Sequence, residues 1–217
     1  MDESSPFRVL FVCTGNICRS PIAERVARAF MDNALGQDAP SLRLTSAGTH
    51  AVIGDGVHPD SARVLTGLGG DPRGFVARQL TDDLAVQADL TLALTRSHRR
   101  AALKRAPRGL SRTFTVVEAA ELASLVPEDV DLPGTTFADR CRSLVREMAA
   151  ARVLRSSDVH DDIADPIGQS PDFHEEVGDA IARSVLPMFS RFADLSGASR
   201  GLERRVDAAP VFFLSGR

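Results

Sequence analysis

The chain reads as an α/β protein: a doubly wound, four-stranded parallel sheet with helices on both faces, plus an additional helix before an Asp-Pro loop. Three observations carry this reading. Short β-rich apolar runs alternate with segments of helical spacing, the βαβ order of a parallel sheet. The first run, Val9-Leu10-Phe11-Val12, is apolar without interruption, as a strand buried on both faces must be. With 217 residues and 43% hydrophobic content, the chain can bury a full core as one domain with an elaboration.

The elements follow in order. The first strand, 9–12, leads into a helix over 22–31, with Pro21 suited to its first turn. Residues 41–47 alternate apolar and polar side chains as a second strand, and 48–59 are turn-rich. Asp60 caps a helix over 61–68. A third strand over 90–94, a helix over 97–105, a fourth strand over 112–116 and a helix over 118–125 complete the alternation. After the acidic, proline-containing break 127–134, residues 137–154 carry Phe137, Cys141, Leu144, Val145, Met148 and Val153 at helical spacing. Residues 172–192 read as a long closing helix, with Phe173, Val177, Ile181, Val185, Leu186 and Phe192 as its apolar members. We place one catalytic domain at 1–195 and a tail at 196–217. The tail's Val211-Phe212-Phe213-Leu214 wants cover, on the body or on a second copy of the chain in a homodimer.

The chemistry concentrates between the first strand and first helix, in Cys13-Thr14-Gly15-Asn16-Ile17-Cys18-Arg19-Ser20. Ligands of open parallel sheets bind beyond the carboxyl ends of the strands, where Cys13 falls. Loop N–H groups and the helix dipole favour an anion there, and Gly15 lets the backbone turn tightly. The same field is expected to hold Cys13 as a nucleophilic thiolate. Arg19 returns to the same mouth and can take two phosphate oxygens with one planar guanidinium. Ser20 is placed to donate a hydrogen bond to the sulfur. Spacing alone would equally describe a buried strand-end cysteine and a surface arginine; the strand, Gly-Asn turn and Ser-Pro helix start favour the chemical reading.

Charge and cysteine usage limit the alternatives. A net charge of -3 and a pI near 6.0 disfavour nucleic-acid binding. Lys104 is the only lysine, so the positive charge is almost all arginine. Three cysteines suit a reducing compartment better than a disulfide framework, and Met1-Asp2-Glu3-Ser4-Ser5-Pro6 is unlike a signal peptide. No run approaches the length of a membrane span, so we expect a soluble, cytoplasmic protein without membrane partners. His50, His58, His98, His160 and His174 are scattered without metal-ligand spacing, so no metal or cofactor is expected, and most should be ordinary surface or loop histidines.

Val9 to Glu24, reading Val-Leu-Phe-Val-Cys-Thr-Gly-Asn-Ile-Cys-Arg-Ser-Pro-Ile-Ala-Glu, resembles the signature of the low-molecular-weight protein tyrosine phosphatases. Thr45-Ser46-Ala47-Gly48-Thr49, Val76-Ala77-Arg78-Gln79-Leu80, Ala88-Asp89-Leu90 and Asp165-Pro166 follow in the family's order, so similarity runs over about 7–110 and resumes near 158–193. The resemblance implies a cysteine-dependent phosphatase acting on a phosphorylated protein or a small phosphate ester. Cys13 is the implied nucleophile, Arg19 the phosphate clamp and Asp165 the acid that protonates the leaving group. Asp158, Asp161 and Asp162 compete with Asp165 on spacing alone; Pro166 favours Asp165 by keeping that residue out of a helix. Asn16 and Ser46 resemble a polar pair that braces the loop, although Ser46 could instead only end its strand. Cys18 is either the partner of a reversible, protective disulfide with Cys13 or a buried filler.

Compact members reach their Asp-Pro loop sooner, so about 125–157 reads as a helical insertion, a packing element in preference to a substrate cap. The chain departs from the family in having no Tyr or Trp. Val52, Phe75 and Ile167 stand where other members carry cleft aromatics or a histidine, so an aromatic substrate would meet an aliphatic wall. Two rivals remain: a thiol-dependent arsenate reductase, for which Cys141 is the only downstream thiol, and a non-catalytic phosphate or phosphoprotein sensor.

Overall fold

A computed structural model describes residues 5–155 and 160–196. Four parallel strands, β1 (Phe7–Cys13), β2 (Leu42–Gly48), β3 (Leu90–Ala93) and β4 (Thr113–Thr115), lie in the order β2-β1-β3-β4. The chain leaves β1 toward β2 on one side and later returns to place β3 on the other. This reversal of strand order opens a crevice at the carboxyl end of β1, where Cys13 pairs in register with Gly48.

Side chains of β1 alternate between two cores. Phe7, Val9, Phe11 and Cys13 face the larger one, and Leu10 and Val12 join a smaller cluster with Ala47, Leu80, Ala85 and Ala88. The larger core is closed by α1 (Arg19–Leu35) and α7 (Pro171–Ala193), with Phe7 on Phe192 at 5.5 Å and Phe11 on Phe189 at 6.0 Å between ring centroids. The remaining helices are α2 (Pro59–Gly67), α3 (Asp82–Gln87), α4 (Arg96–Arg105), α5 (Val116–Leu125) and α6 (Phe137–Ala150). Thr81, Thr95, Thr115, Thr136 and Ser170 cap α3 to α7 respectively through their hydroxyls.

The fold class matches the sequence reading, with corrections of detail. Helix α1 starts at Arg19, ahead of the expected 22, which puts the arginine in its first turn. Helix α3, only six residues long, has no apolar repeat long enough to announce it. Helix α6 stops at Ala150 and gives way to a 3-10 turn over Ala151–Leu154, so Val153 is 87% exposed where helical spacing placed it in the core. The rest of α6 is a packing element: Phe137, Cys141, Leu144, Val145 and Met148 are buried, and Arg142 anchors it on Asp89 at 2.9 Å. Residues 197–217, and with them the apolar tail segment, lie outside the described residues. Among the described residues, no helix is long and apolar enough to cross a membrane.

Candidate active site

The loop between β1 and α1 is shaped by its carbonyls. The oxygens of Cys13, Thr14 and Gly15 accept from the N–H groups of Thr49, His50 and Val52 at 2.9, 3.0 and 2.9 Å, and Ile17 O accepts from His58 N at 2.8 Å. With these acceptors turned onto neighbouring segments, the N–H groups of Gly15, Ile17 and Cys18 have no backbone partner among the described residues. That is the polarity an anion needs. Gly48 permits the approach: a Cβ there would stand 2.4 Å from Thr14 O.

Cys13 Sγ is buried at the base of this loop, 2.9 Å from Ser20 Oγ and 3.3 Å from Asn16 N, which donates to it. The Asn16 N–H donates to the sulfur, and the Ser20 hydroxyl can do the same. Asn16 has φ 57°, a left-handed conformation that Asn tolerates better than most residues. It is wholly buried and held on three sides: Nδ2 donates to Ser20 Oγ and Ser46 Oγ, each at 2.9 Å, and Oδ1 accepts from Arg78 N at 2.9 Å. Ser46 in turn donates to Glu24 Oε2 at 2.6 Å. Ser46 therefore does more than end its strand, and Glu24 and Arg78 join a brace whose members sequence spacing could not connect.

Arg19, 4% exposed, reaches the opposite lip. Its Nη1 donates to Ile163 O at 3.1 Å, and its Nη2 to Asp165 Oδ2 at 2.6 Å and Thr14 Oγ1 at 3.4 Å. Ile163 N donates to Leu94 O at 2.9 Å, pinning the Asp-Pro loop to the end of β3 and delivering the exposed Asp165 carboxyl to the mouth. The rival acids are engaged elsewhere. Asp161 is buried against Arg155, and Asp162 accepts from Arg96 N at 2.7 Å. Asp158 lies outside the described residues.

Sequence reading missed His98. Its ring spans Thr95 Oγ1 at 2.8 Å and Thr14 Oγ1 at 2.9 Å, so it links the cap of α4 to the loop between β1 and α1. Burial, assisted by Arg19, pushes its pKa down to about 4, leaving a neutral imidazole that donates with one nitrogen and accepts with the other. The Thr-x-x-His start of α4 was the only local signal. Cys18 is buried, and burial pushes its thiol up to about 11 against the opposing influence of the Ser61 side chain.

Around the rim, Val52 and Ile167 are exposed, at 43% and 48%. Val52 Cγ2 and Ile17 Cγ1 both border Gly15. Phe75 differs from expectation: it is only 6% exposed, with the Arg25 guanidinium of α1 5.6 Å over its ring, so it offers a ligand little surface.

The geometry defines a class of site: a strand-loop-helix anion site holding a cysteine, an arginine and an opposed aspartic acid. Comparison makes the class specific. The family profile described as "Low molecular weight phosphotyrosine protein phosphatase" matches residues 8–136, and the chain belongs to this family. It is 34% identical over 137 residues to a low molecular weight protein-tyrosine-phosphatase of Streptomyces coelicolor, covering 62% of this chain and 80% of that protein. It is 35% identical over 107 residues to Wzb of Salmonella typhi, covering 49% of this chain and 66% of that one. For several of the relatives it matches, the chain spans little more than half of their length. Among solved structures, the low molecular weight protein tyrosine phosphatase of T. tengcongensis superposes with a TM-score of 0.61 at 25% identity, covering 85% of this chain and 99% of that chain.

Proposed function

We propose that this chain is a cysteine-dependent phosphatase that hydrolyses phosphate monoesters, phosphotyrosine in proteins foremost, through a phosphocysteine intermediate in the cytoplasm. The observation that carries the reading is the convergence of Cys13 Sγ, the Arg19 guanidinium and the Asp165 carboxyl on one anion-shaped loop. Substrate phosphate enters the loop and takes the guanidinium from Asp165. Cys13 Sγ attacks phosphorus; the S–P bond forms as the ester P–O bond breaks, and Asp165 gives its proton to the leaving oxygen. Water then attacks phosphorus and yields a proton to Asp165, while Ser20 stabilises the departing sulfur. The phosphate-binding set is Thr14, Gly15, Asn16, Ile17, Cys18, Arg19 and Ser20; catalysis is mostly positioning and charge stabilisation.

The family's printed description supports phosphotyrosine, and an aliphatic wall of Ile17, Val52 and Ile167 can bury a flat ring by area alone. The arsenate reductase reading is disfavoured by Cys141. That thiol is wholly buried on α6 and raised by burial, so it offers no relay toward the surface. The sensor reading finds no support in a site that keeps nucleophile, clamp and acid together.

The test is hydrolysis of an aryl phosphate without added metal from about pH 4 to 8, with Cys13→Ser and Asp165→Asn alongside. Turnover lost in the first variant and lowered in the second supports the proposal. An inactive wild-type chain that reduces arsenate with a thiol would replace it, and a phosphopeptide panel separates protein substrates from small esters.

A further inference from the structure

Behind the phosphate loop, Cys18, His58 and His174 bring three ligand atoms within 4.8 Å of one another. They come from three elements: Cys18 is the N-cap of α1, His58 precedes α2, and His174 sits in the first turns of α7. Cys18 and His174 are 3% and 1% exposed, and His58 is half-buried. The histidines are scattered in the sequence, yet the fold brings together His58 and His174, 116 positions apart.

Two buried ring nitrogens, His58 Nδ1 and His174 Nε2, have no hydrogen-bond partner among the described residues. Asp60 Oδ2 is 3.8 Å from the first, and the Pro166 carbonyl acts on the His174 ring without hydrogen-bond geometry. Leaving such groups buried and unpaired is unfavourable unless something binds them. The opposite nitrogen, His174 Nδ1, is 2.9 Å from Ser61 Oγ. A hydroxyl that fixes one ring nitrogen and leaves the other free for a cation is the outer arrangement of a metal ligand. Gly178, one turn along α7 from His174, lets α2 approach closely; a Cβ there would lie 2.2 Å from Val64 Cγ1.

We propose that Cys18 Sγ, His58 Nδ1 and His174 Nε2 bind one divalent transition-metal cation of the zinc class. One sulfur and two imidazole nitrogens select such a cation over magnesium or calcium, whose ligands are oxygens. With metal–ligand bonds of about 2.0–2.3 Å, the donors must close to about 3.3–3.7 Å apart, a movement open to the half-buried His58 ring. Binding forms the metal–sulfur bond and releases the Cys18 thiol proton to solvent. A cation held there ties the start of α1 to α2 and α7. It also excludes a Cys13–Cys18 disulfide, since both need the Cys18 sulfur.

The experiment uses the full chain treated with chelator, with Co²⁺ and Zn²⁺ as probes and Cys13→Ser as the background that removes the competing thiol. The expected result is one Co²⁺ per chain with a thiolate-to-metal absorption band, displaced by Zn²⁺, and a Zn²⁺-dependent rise in Tm. Cys18→Ser abolishes the band, and His58→Ala, at the most accessible ligand, weakens binding at least about tenfold. If His174→Ala fails to fold, His58→Ala still decides. No Co²⁺ or Zn²⁺ binding, a band that disappears with Cys13→Ser alone, or affinity unchanged in His58→Ala overturns the site. None of these readouts depends on phosphatase activity.

Discussion

Arg19 Nη2 lies 2.6 Å from Asp165 Oδ2, so the guanidinium that would grip a substrate's phosphate already grips the carboxylate that would protonate its leaving group. In the proposed reaction, this contact would couple phosphate binding to the release of the acid. Asp165→Asn removes the competing charge and the proton donor together. We predict that kcat falls about 10²–10⁴-fold while inorganic phosphate inhibits more tightly than in the wild type. Weaker phosphate inhibition, or kcat within about twofold, would show that the pair is not in competition with substrate.

The brace from Glu24 through Ser46 to Asn16 is buried throughout. Ser46→Ala leaves Glu24 Oε2 and one Asn16 N–H without their partner, at a cost of about 1–3 kcal/mol in denaturant unfolding. Turnover should fall with it, because Asn16 N then holds Cys13 less firmly. A variant as stable and as active as the wild type would remove the brace from the account.

His98 gives a pH dependence with a definite sign. Its folded pKa of about 4 lies below the ordinary value of 6.5, so on acidification the unfolded chain takes up a proton before the native one does. The stability it protects is fully present above about pH 6.5 and is lost as pH falls toward 4, at up to about 1.4 kcal/mol per unit. Arg19, Asp162 and Asp165 face this ring, and Arg19 works against its protonation. Denaturation of His98→Gln across that range should show a shallower acid limb than the wild type; parallel limbs would assign the slope to other groups.

The rim predicts a specificity change. Val52 and Ile167 are exposed beside the loop and the acid, and an aromatic side chain there would stack on a substrate ring for about 0.5–1.5 kcal/mol. Val52→Tyr or Ile167→Tyr should therefore lower KM for aryl phosphates about 2–12-fold and leave alkyl phosphates unchanged. Equal effects on both substrate classes would point away from stacking.

The phosphate loop was legible because its chemistry lies within eight consecutive residues, Cys13 to Ser20, between a strand and a helix that announce themselves by pattern. Pro166 singled out Asp165 in the sequence, and only the fold shows that Asp161 and Asp162 are engaged by Arg155 and Arg96 while Asp165 meets Arg19. What stayed hidden depends on tertiary placement. His98 meets Thr14 because β3 lies beside β1, and Cys18, His58 and His174 meet because α2 and α7 pack around a glycine. Periodicity likewise missed the end of α6, since the next turn tightens to 3-10 geometry and swings Val153 outward.

The most direct test of the central claim is to mix Asp165→Ala with an aryl phosphate, quench within the first turnover and weigh the peptide that carries Cys13. We predict one phosphoryl group on Cys13, accumulating because the base that activates water is gone, and none in Cys13→Ser. Product release with no phosphoryl group on Cys13, or the same label surviving in Cys13→Ser, would contradict it.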